Sequence, residues 1–408
     1  MIPALSAQKI GIFTSGGDCP GLNAVIRSVI KCASRRGWEV YGIPYGTQGL
    51  INLEQGNCSA EDLRLRDHGF DIPGLLHGVD VLQFLSGSIL GALNKGNPGD
   101  PRIAQEILEG YRRLGLDALI ALGGDGSLDI IDGLANQGNW NWIAIPKTID
   151  NDVPYTERSL GFDTAVGTVT RALYDLTFTA ASHNRIIVVQ VMGRDAGHLA
   201  LQAGIAGGAD VILIPELTPK LDDRVLDGIC QQIVQLRQGD RQFALVVVAE
   251  GVRNSAGDKE KYIGDRLAEQ IQQHGARLCQ TGQPEFCHLA ALETRATTLG
   301  HIQRSSPPSS FDRLMAAAFG KKAIDLIAEQ TYQQLVVWSQ GQVDSKPLRS
   351  VMPLIKARHQ TQMCPRPVTS SDFWVQTARD LGIYLGHPMT IGDAPALSDR
   401  DPGHHICR

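Results

Sequence analysis

The 408-residue sequence has no excess of basic residues and no long apolar run. It has 38 lysines and arginines against 43 aspartates and glutamates, which gives a net charge of -5. Proteins that bind nucleic acid usually carry surplus positive charge, so a nucleic-acid partner is not expected. A membrane-spanning helix needs about 18 consecutive apolar residues, and residues 1–8 lack the basic and apolar stretches of a leader. We therefore predict a cytoplasmic protein without a membrane partner.

The cysteines are scattered and form no Cys-x-x-Cys pair. The eight residues lie at positions 19, 32, 58, 230, 279, 287, 364 and 407. Closely spaced cysteines are typical of zinc sites and disulfide frameworks, so the sequence predicts neither and most thiols should be reduced. Cys19 lies in a glycine-rich loop where a small residue suffices, and we expect no chemical role for it. At this length, without an internal repeat, the chain suits two domains that share a cleft.

Residues 118–136 combine a buried strand with a loop suited to phosphate. The apolar run at 118–122 predicts a parallel strand, and the periodic apolar residues at 128–136 predict a helix. The residues between them are almost free of side-chain bulk: Gly123, Gly124, Gly126 and Ser127. Backbone amides at a helix start bind anions. Asp125 would repel phosphate unless it held a cation, so we predict that it binds Mg²⁺.

A second predicted strand, 142–145, is followed at once by Lys147, Thr148, Asp150 and Asp152. The carboxyl ends of parallel strands are where open α/β sheets bind ligands. Lys147 supplies a positive charge for phosphate, while Asp150 and Asp152 offer a general base and a residue that orients it or the metal. Taken alone, residues 150–152 are equally compatible with an ordinary acidic turn, since Asp and Asn favour turns.

Other strands alternate with helices in the same way, which predicts an α/β fold. Strands are predicted at 10–14, 39–44, 186–191, 211–215 and 243–249, and helices at 22–34, 161–182 and 312–329. Gly17 lies in the glycine loop after the first strand. Arg194 follows the strand at 186–191, where its planar guanidinium suits phosphoryl oxygens; a surface salt bridge is the alternative. Glu250 ends another strand and can accept hydrogen bonds from sugar hydroxyls.

Six stretches resemble the 6-phosphofructokinase family in order and spacing. They are TSGGDCPGLN at 14–23, GGDGS at 123–127, PKTIDND at 146–152, VMGR at 191–194, EG at 250–251 and ETRATTLGHIQR at 293–304. The resemblance runs from about residue 9 to about residue 329. It implies two doubly wound Rossmann-like domains with the active site in the cleft between them. Residues 1–160, with a return segment at 303–333, would bind nucleotide and magnesium, and residues 161–302 the sugar phosphate. Residues 334–408 would form an extension packed on the body, with a disordered tail and no evident chemistry.

The resemblance also implies a reaction, in which the γ-phosphate of ATP passes to the 1-hydroxyl of D-fructose 6-phosphate. Catalytic roles fall on Asp150 as the base, on Lys147 and Arg194 as charge neutralisers, and on Thr148 and Asp152 as positioning residues. Donor contacts would come from Gly17, Lys95, Gly124, Gly126 and Ser127. Sugar-phosphate contacts would come from Thr148, Arg185, Met192, Gly193, Arg194, Glu250, Arg295, His301 and Arg304. Arg185 and Arg295 would reach the site from a neighbouring subunit, so a homodimer or homotetramer is expected.

Two residues of the donor site, Gly126 and Lys147, indicate different phosphoryl donors. In the pyrophosphate-using branch of the family the position of Gly126 is typically Asp and that of Lys147 is Lys, whereas familiar bacterial ATP enzymes have Gly at both. An Asp at position 126 would clash with the nucleotide's α-phosphate, so Gly126 favours ATP. Pyrophosphate is the alternative donor, and a non-catalytic sugar-phosphate sensor is a remoter interpretation. NAD and lipid kinases share the GGDG loop but lack the other segments. Ser305 and Ser306 replace the usual glycines, which leaves the turn after Arg304 open.

Overall fold

The computed structural model describes residues 8–67, 78–92, 99–290, 292–361 and 364–386. Lys95 and the predicted disordered tail lie outside these ranges. The strands are β1 (Lys9–Thr14), β2 (Glu39–Gly42), β3 (Arg64–Leu65), β4 (Ala118–Gly123), β5 (Trp142–Pro146), β6 (Ile186–Val191), β7 (Val211–Leu213), β8 (Ala244–Ala249), β9 (Thr294–Thr298), β10 (Gln334–Ser339) and β11 (Gln342–Pro347).

The α-helices are α1 (Leu22–Ser34), α2 (Gln48–Glu54), α3 (Pro101–Leu114), α4 (Asp125–Gly138), α5 (Phe162–His183), α6 (His198–Ala206), α7 (Asp223–Gln238), α8 (Ile263–Gln280), α9 (Cys287–Ala290), α10 (Ile302–Ser305), α11 (Ser310–Ala328), α12 (Leu348–Thr361) and α13 (Phe373–Asp380). Short 3₁₀ turns cover Glu61–Leu63, Gly78–Phe84 and Pro284–Phe286. No helix within the described part of the chain is long and apolar enough to cross a membrane.

The larger sheet has seven strands in the order β11-β10-β5-β4-β1-β2-β3. Its five central strands are parallel, and the edge strands β3 and β11 run antiparallel to their neighbours. β4 and β5 are buried along their whole length, which explains their continuous apolar sequences. Thr14 pairs with Leu122 and Gly123 with Pro146. The loops after β1, β4 and β5 therefore leave the sheet at the same edge.

The smaller sheet contains four parallel strands in the order β7-β8-β6-β9. Val191 pairs with Ala249, and Gln190 pairs with Thr298 of β9. The segments that begin with Met192, Glu250 and Leu299 consequently share one edge of this sheet. The two sheets with their helices confirm the predicted fold class of two Rossmann-like α/β units.

The chain passes from one sheet to the other near residue 160, where α11 anchors the start of α5. Asp312 of α11 accepts hydrogen bonds from the amides of Gly161 and Thr164, both at 2.9 Å. A buried carboxylate with two backbone donors and the Thr164 hydroxyl fixes how α5 enters the fold. The exact domain boundary between residues 160 and 161 stays a prediction.

Two sequence-based expectations need correction. The helix after the glycine loop begins at Asp125, before Ser127, because Gly124 has extended backbone angles and Asp125 takes the first helical position. Cys279 and Cys287 form a disulfide, contrary to the expectation of none, because a turn at 281–286 folds α9 back on the end of α8 and brings the two Cα atoms to 4.6 Å. Spacing alone gives no signal for such a pair. Cys19 stays reduced, and burial raises the pKa of its thiol to about 12.

Residues 334–386 contact both sheets. β10 and β11 are strands of the larger sheet, and the chain then crosses to the smaller one. There the Tyr384 amide donates to the Asp210 carbonyl at 3.0 Å, and the Ile212 amide donates to the Tyr384 carbonyl at 2.9 Å. The C-terminal segment therefore ties the two sheets together.

Candidate active site

The loops at the carboxyl edges of the two sheets face each other, and one ion pair spans them. Asp125 at the start of α4 has its Oδ1 3.3 Å from Nη1 of Arg194, which follows β6. Beside this pair lies a pocket of about 600 Å³. Its lining residues are Asp125, Gly126, Arg194, Asp195, Arg253, Lys259, Ile355 and Arg358. The edge that ligands use in open α/β sheets thus becomes a cleft here.

Glycines keep the donor-side loops free of side chains. Gly16 has φ +80°, and a Cβ there would stand 2.7 Å from Ser127 Oγ, so the loops after β1 and β4 touch at this position. A Cβ on Gly124 would lie 3.5 Å from the Lys147 carbonyl oxygen, in ordinary contact. A Cβ on Gly126, in contrast, would meet nothing within 4 Å. The backbone at position 126 therefore leaves room for a Cβ next to Asp125.

The Asp125 carboxylate is buried and contacts two guanidinium groups. Oδ1 accepts from Arg194, and Oδ2 contacts Nη1 of Arg358 in α12. Within the described ranges no group of three or more His, Cys, Asp or Glu residues could enclose a metal ion. Mg²⁺ differs from metals that need such cages, since it keeps several waters and uses one or two carboxylates plus substrate phosphates. A single buried carboxylate at a phosphate-type loop fits that requirement.

Lys147 and Thr148 shape the loop after β5. The buried Lys147 ammonium donates to the Gly17 carbonyl, which links this loop to the first glycine loop. Burial lowers the pKa of Lys147. The Asp150 amide donates to Thr148 Oγ1 at 3.0 Å, so Thr148 fixes the turn that presents the Asp150 carboxylate.

Asp150 and Asp152 form a buried acidic pair. Among the described residues, Oδ1 of each carboxylate has no hydrogen-bond partner. Burial raises the pKa of Asp150, and burial together with the charge of Asp150 raises the pKa of Asp152 to about 7. An unpartnered buried carboxylate oxygen costs about 1–3 kcal/mol, so it is retained where a proton or a ligand group completes it. The two groups titrate as one coupled pair.

Glu250 controls the turn after β6. Its Oε1 accepts the amides of Gly193 at 3.2 Å and Arg194 at 2.9 Å. Gly193 has φ 137° and Arg194 has φ 52°, and a Cβ on Gly193 would be 2.6 Å from the Ala196 carbonyl oxygen. A left-handed arginine is strained by roughly 1–2 kcal/mol, and these two hydrogen bonds hold it in place. The Met192 amide donates to Gln303 Oε1 at 3.2 Å, which joins this turn to the segment after β9.

His301 and Arg304 lie at the same edge, one helical turn apart. The Arg304 amide donates to the His301 carbonyl at 2.9 Å, and Arg304 Nη1 donates to the Asp18 carbonyl at 3.0 Å. A Cβ on Gly17 would be 3.0 Å from Arg304 Nη1, so this guanidinium also packs on the first glycine loop. Ser305 is helical and Ser306 has φ −65°. Serine fits both positions, and the turn after Arg304 needs no glycine.

Arg185 and Arg295 lie at the opposite edge of the smaller sheet. Arg185 precedes β6 and Arg295 lies near the start of β9, and both bind the Glu293 carboxylate between them. The six residues of β6, at about 3.3 Å each, put roughly 20 Å between Arg185 and Met192, and the shared contacts with Glu293 hold both arginines toward the amino edge. One chain therefore brings together His301 and Arg304 but not the two other arginines.

Two arginines of the C-terminal segment reach the site, although no sequence motif pointed to chemistry there. Arg358 contacts Asp125, and its Nη2 is 3.5 Å from Asp195 Oδ2. Arg366 Nη1 donates to the Asn151 carbonyl at 2.8 Å, inside the loop that carries Asp150 and Asp152. One sequence signal was available: residues 348–371 contain four cations and no acidic residue. Such a segment needs anionic neighbours from elsewhere in the fold.

Comparisons with known proteins agree with this geometry. A family model described as Phosphofructokinase matches residues 9–327. The ATP-dependent 6-phosphofructokinase of Thermosynechococcus vestitus is 46% identical, with 99% of this chain and 97% of that protein covered. ATP-dependent 6-phosphofructokinase 2 of Nostoc sp. is 48% identical, with 93% of this chain and 99% of that protein covered.

Among solved structures, phosphofructokinase from Saccharomyces cerevisiae superposes with a TM-score of 0.68 at 26% identity. The match covers 87% of this chain, which spans 46% of the length of the yeast chain. The resemblance predicted from six motifs is thereby confirmed, as is the prediction of an enzyme of the kinase class. With the family model matching most of its length, the chain belongs to the phosphofructokinase family.

Proposed function

We propose that this protein is an ATP-dependent 6-phosphofructokinase that transfers the γ-phosphate of ATP to the 1-hydroxyl of D-fructose 6-phosphate. The products are fructose 1,6-bisphosphate and ADP, and the reaction serves glycolysis. One observation carries the proposal. Asp150 and Asp152 are buried beside Lys147 and Arg194, and each has a carboxylate oxygen without a described hydrogen-bond partner. Such an arrangement is suited to take a proton next to a phosphoryl group.

Asp150 acts as the general base. Its carboxylate accepts the proton of the sugar 1-hydroxyl while the hydroxyl oxygen forms a bond to the γ-phosphorus. The bond between that phosphorus and the β,γ-bridging oxygen breaks, and ADP leaves with its electron pair. The raised pKa of Asp150 strengthens it as a proton acceptor, provided that the pH keeps it ionised.

Cations around the pair neutralise the charge that spreads over the transferred group. Lys147 and Arg304 both contact the first glycine loop, and Arg194 approaches from the smaller sheet. Lys147, Asp150 and Asp152 are buried, and electrostatic stabilisation of a transition state is strongest where water is excluded. Amides at 123–127 and at Gly17 would contact the donor phosphates. The role of Lys95 rests on the family resemblance alone.

Mg²⁺ would be held by Asp125 together with phosphate oxygens and water, and when bound it would neutralise charge on the donor phosphates. Asp152 and Thr148 position the loop from which Asp150 projects.

ATP is the proposed donor because position 126 is open. The absence of any atom within 4 Å of a Cβ there supports a channel wide enough for a nucleotide's α-phosphate. The relatives from Thermosynechococcus vestitus and Nostoc sp. are both named ATP-dependent. Lys147 adds a cation that either polyphosphate would tolerate, so pyrophosphate remains the alternative donor.

Sugar-phosphate binding is assigned to Met192, Gly193, Glu250, His301 and Arg304 of one chain and to Arg185 and Arg295 of a neighbour. The position of Arg185 and Arg295 toward the amino edge of the smaller sheet, where both bind Glu293, supports this division, because His301 and Arg304 follow the carboxyl end of β9. We therefore propose a homodimer or homotetramer, located in the cytoplasm. A non-catalytic sensor is disfavoured, since both Asp125 and Asp150 are present.

Steady-state kinetics with two donors test the proposal. With saturating fructose 6-phosphate, kcat/KM for Mg-ATP should exceed that for Mg-pyrophosphate. A higher value with pyrophosphate would assign the donor site to the alternative, and no transfer from either donor would favour the sensor.

A further inference from the structure

Arg358 contacts the carboxylate of Asp125, to which the proposed function assigns Mg²⁺ binding. It comes from α12, beyond the residues matched by the family model, and its Nη1 contacts Asp125 Oδ2. The Asp125 side chain is 3% exposed and that of Arg358 is 21% exposed, whereas Arg194 on the other oxygen is 51% exposed. Arg358 is thus the more deeply buried counter-ion of this carboxylate.

A guanidinium and a divalent cation on one buried carboxylate oxygen would place two positive charges side by side, and their repulsion is unfavourable. A metal ion that binds Oδ2 therefore weakens the Arg358 contact and favours its displacement. A displaced buried cation needs a new anion nearby. The pocket beside Asp125 is lined by four cations, Arg194, Arg253, Lys259 and Arg358, against two carboxylates, Asp125 and Asp195. This net positive lining fits a polyphosphate.

We propose that Arg358 is a donor-phosphate-binding residue that neutralises Asp125 before the donor binds and moves to the donor's phosphate oxygens when a magnesium nucleotide enters. The inference rests on the proposed function for its donor class. Arginine suits this exchange, since its planar guanidinium binds carboxylate and phosphate with the same geometry. Nη2 lies 3.5 Å from Asp195 Oδ2, so the guanidinium already spans from α4 to the loop after β6.

A purely structural role is the competing explanation, in which Arg358 only fastens α12 to α4. Lys356 provides the matched control. It lies two residues earlier on α12, and its Nζ is 2.8 Å from Asp132 Oδ2 and 3.8 Å from Asp129 Oδ1, both on α4. Removing the Lys356 charge breaks ion pairs between the same two helices without touching the pocket.

Two binding measurements on the full chain separate these explanations. The affinity for Mn²⁺ alone, measured by electron paramagnetic resonance, reports whether the Asp125 carboxylate is available to a metal ion. The Mg²⁺ complex of AMPPNP, a non-hydrolysable ATP analogue, reports donor binding by calorimetry. Arg358→Met should bind Mn²⁺ at least about threefold more tightly and Mg-AMPPNP about tenfold more weakly, since a charge-assisted hydrogen bond is lost. Lys356→Met should stay within about twofold of wild type in both.

Opposite shifts for the two probes are the signature of the exchange. The inference would be overturned if Arg358→Met bound both probes with wild-type affinity. It would also be overturned if Lys356→Met lost as much affinity for Mg-AMPPNP as Arg358→Met. If the Met variant does not fold, Arg358→Gln replaces it, because glutamine keeps hydrogen bonding but not charge. The same two opposite shifts in affinity are expected for it. Failure of wild type to phosphorylate fructose 6-phosphate would overturn the proposed function instead, and the Mn²⁺ comparison would still be readable.

Discussion

Replacing Asp152 by asparagine should move the acid limb of the pH profile. A general base must be ionised, and its pKa in the folded protein is raised, so activity is present at high pH and lost as the pH falls through that pKa. Burial raises the pKa of Asp150 and the two carboxyl groups titrate as a coupled pair, so the limb should lie at higher pH than that of an isolated aspartate. An ordinary aspartate, in contrast, titrates at about 4.

The neutral amide in the Asp152→Asn variant does not repel the Asp150 carboxylate, so the limb should shift to lower pH. The repulsion between two carboxylates in one buried site corresponds to at least about one pH unit, or ~1.4 kcal/mol. The assay is kcat/KM for fructose 6-phosphate from about pH 5.5 to 9 with saturating Mg-ATP. The sugar phosphate itself ionises with a pKa of about 6, but this contribution is common to both proteins. Asp132→Asn, on α4 outside the pair, is the control, and its limb should not move. Identical limbs in wild type and Asp152→Asn would refute the coupling.

Three further substitutions test separate parts of the site. Asp150→Ser should lower kcat by about 10²–10⁴ with sugar binding retained, and a variant that kept more than a tenth of wild-type kcat would remove Asp150 as the base. Arg295→Ala should chiefly raise the KM for fructose 6-phosphate, because the binding of a non-reacting phosphate contributes equally to ground and transition states. A change in the donor KM alone would assign Arg295 to the donor site. Gly126→Asp should abolish ATP use while the protein still folds, since the new Cβ meets nothing within 4 Å; a variant that still used ATP would show that position 126 does not set the donor.

The loops of the larger sheet could be predicted because their polar, phosphate-type residues directly follow apolar runs that identify the strands. β4 and β5 are buried on both faces, so their apolar runs identify them, and polar residues begin where each strand ends. The edge strand β9 showed no such pattern. Its sequence, ThrArgAlaThrThr, is half exposed, and only its resemblance to a family motif marked it.

Contacts between distant segments could not be read from the sequence. Arg358 lies 233 residues from Asp125, and the topology alone decides that α12 reaches α4. The sequence also did not indicate that Oε1 of Glu250 accepts the amides of Gly193 and Arg194. The disulfide between Cys279 and Cys287 depends on a reversal of the chain after α8. Each of these features requires the geometry of a turn or a crossing, which local periodicity does not encode.

A competition experiment tests the central claim most directly. Wild-type protein is incubated with fructose 6-phosphate, Mg²⁺, ATP and pyrophosphate together, and the phosphorus NMR spectrum is followed with time. We predict that ATP is converted to ADP while a new phosphomonoester signal grows at carbon 1 of the sugar and pyrophosphate is unchanged. Consumption of pyrophosphate ahead of ATP, or a phosphate on any other hydroxyl, would contradict the account.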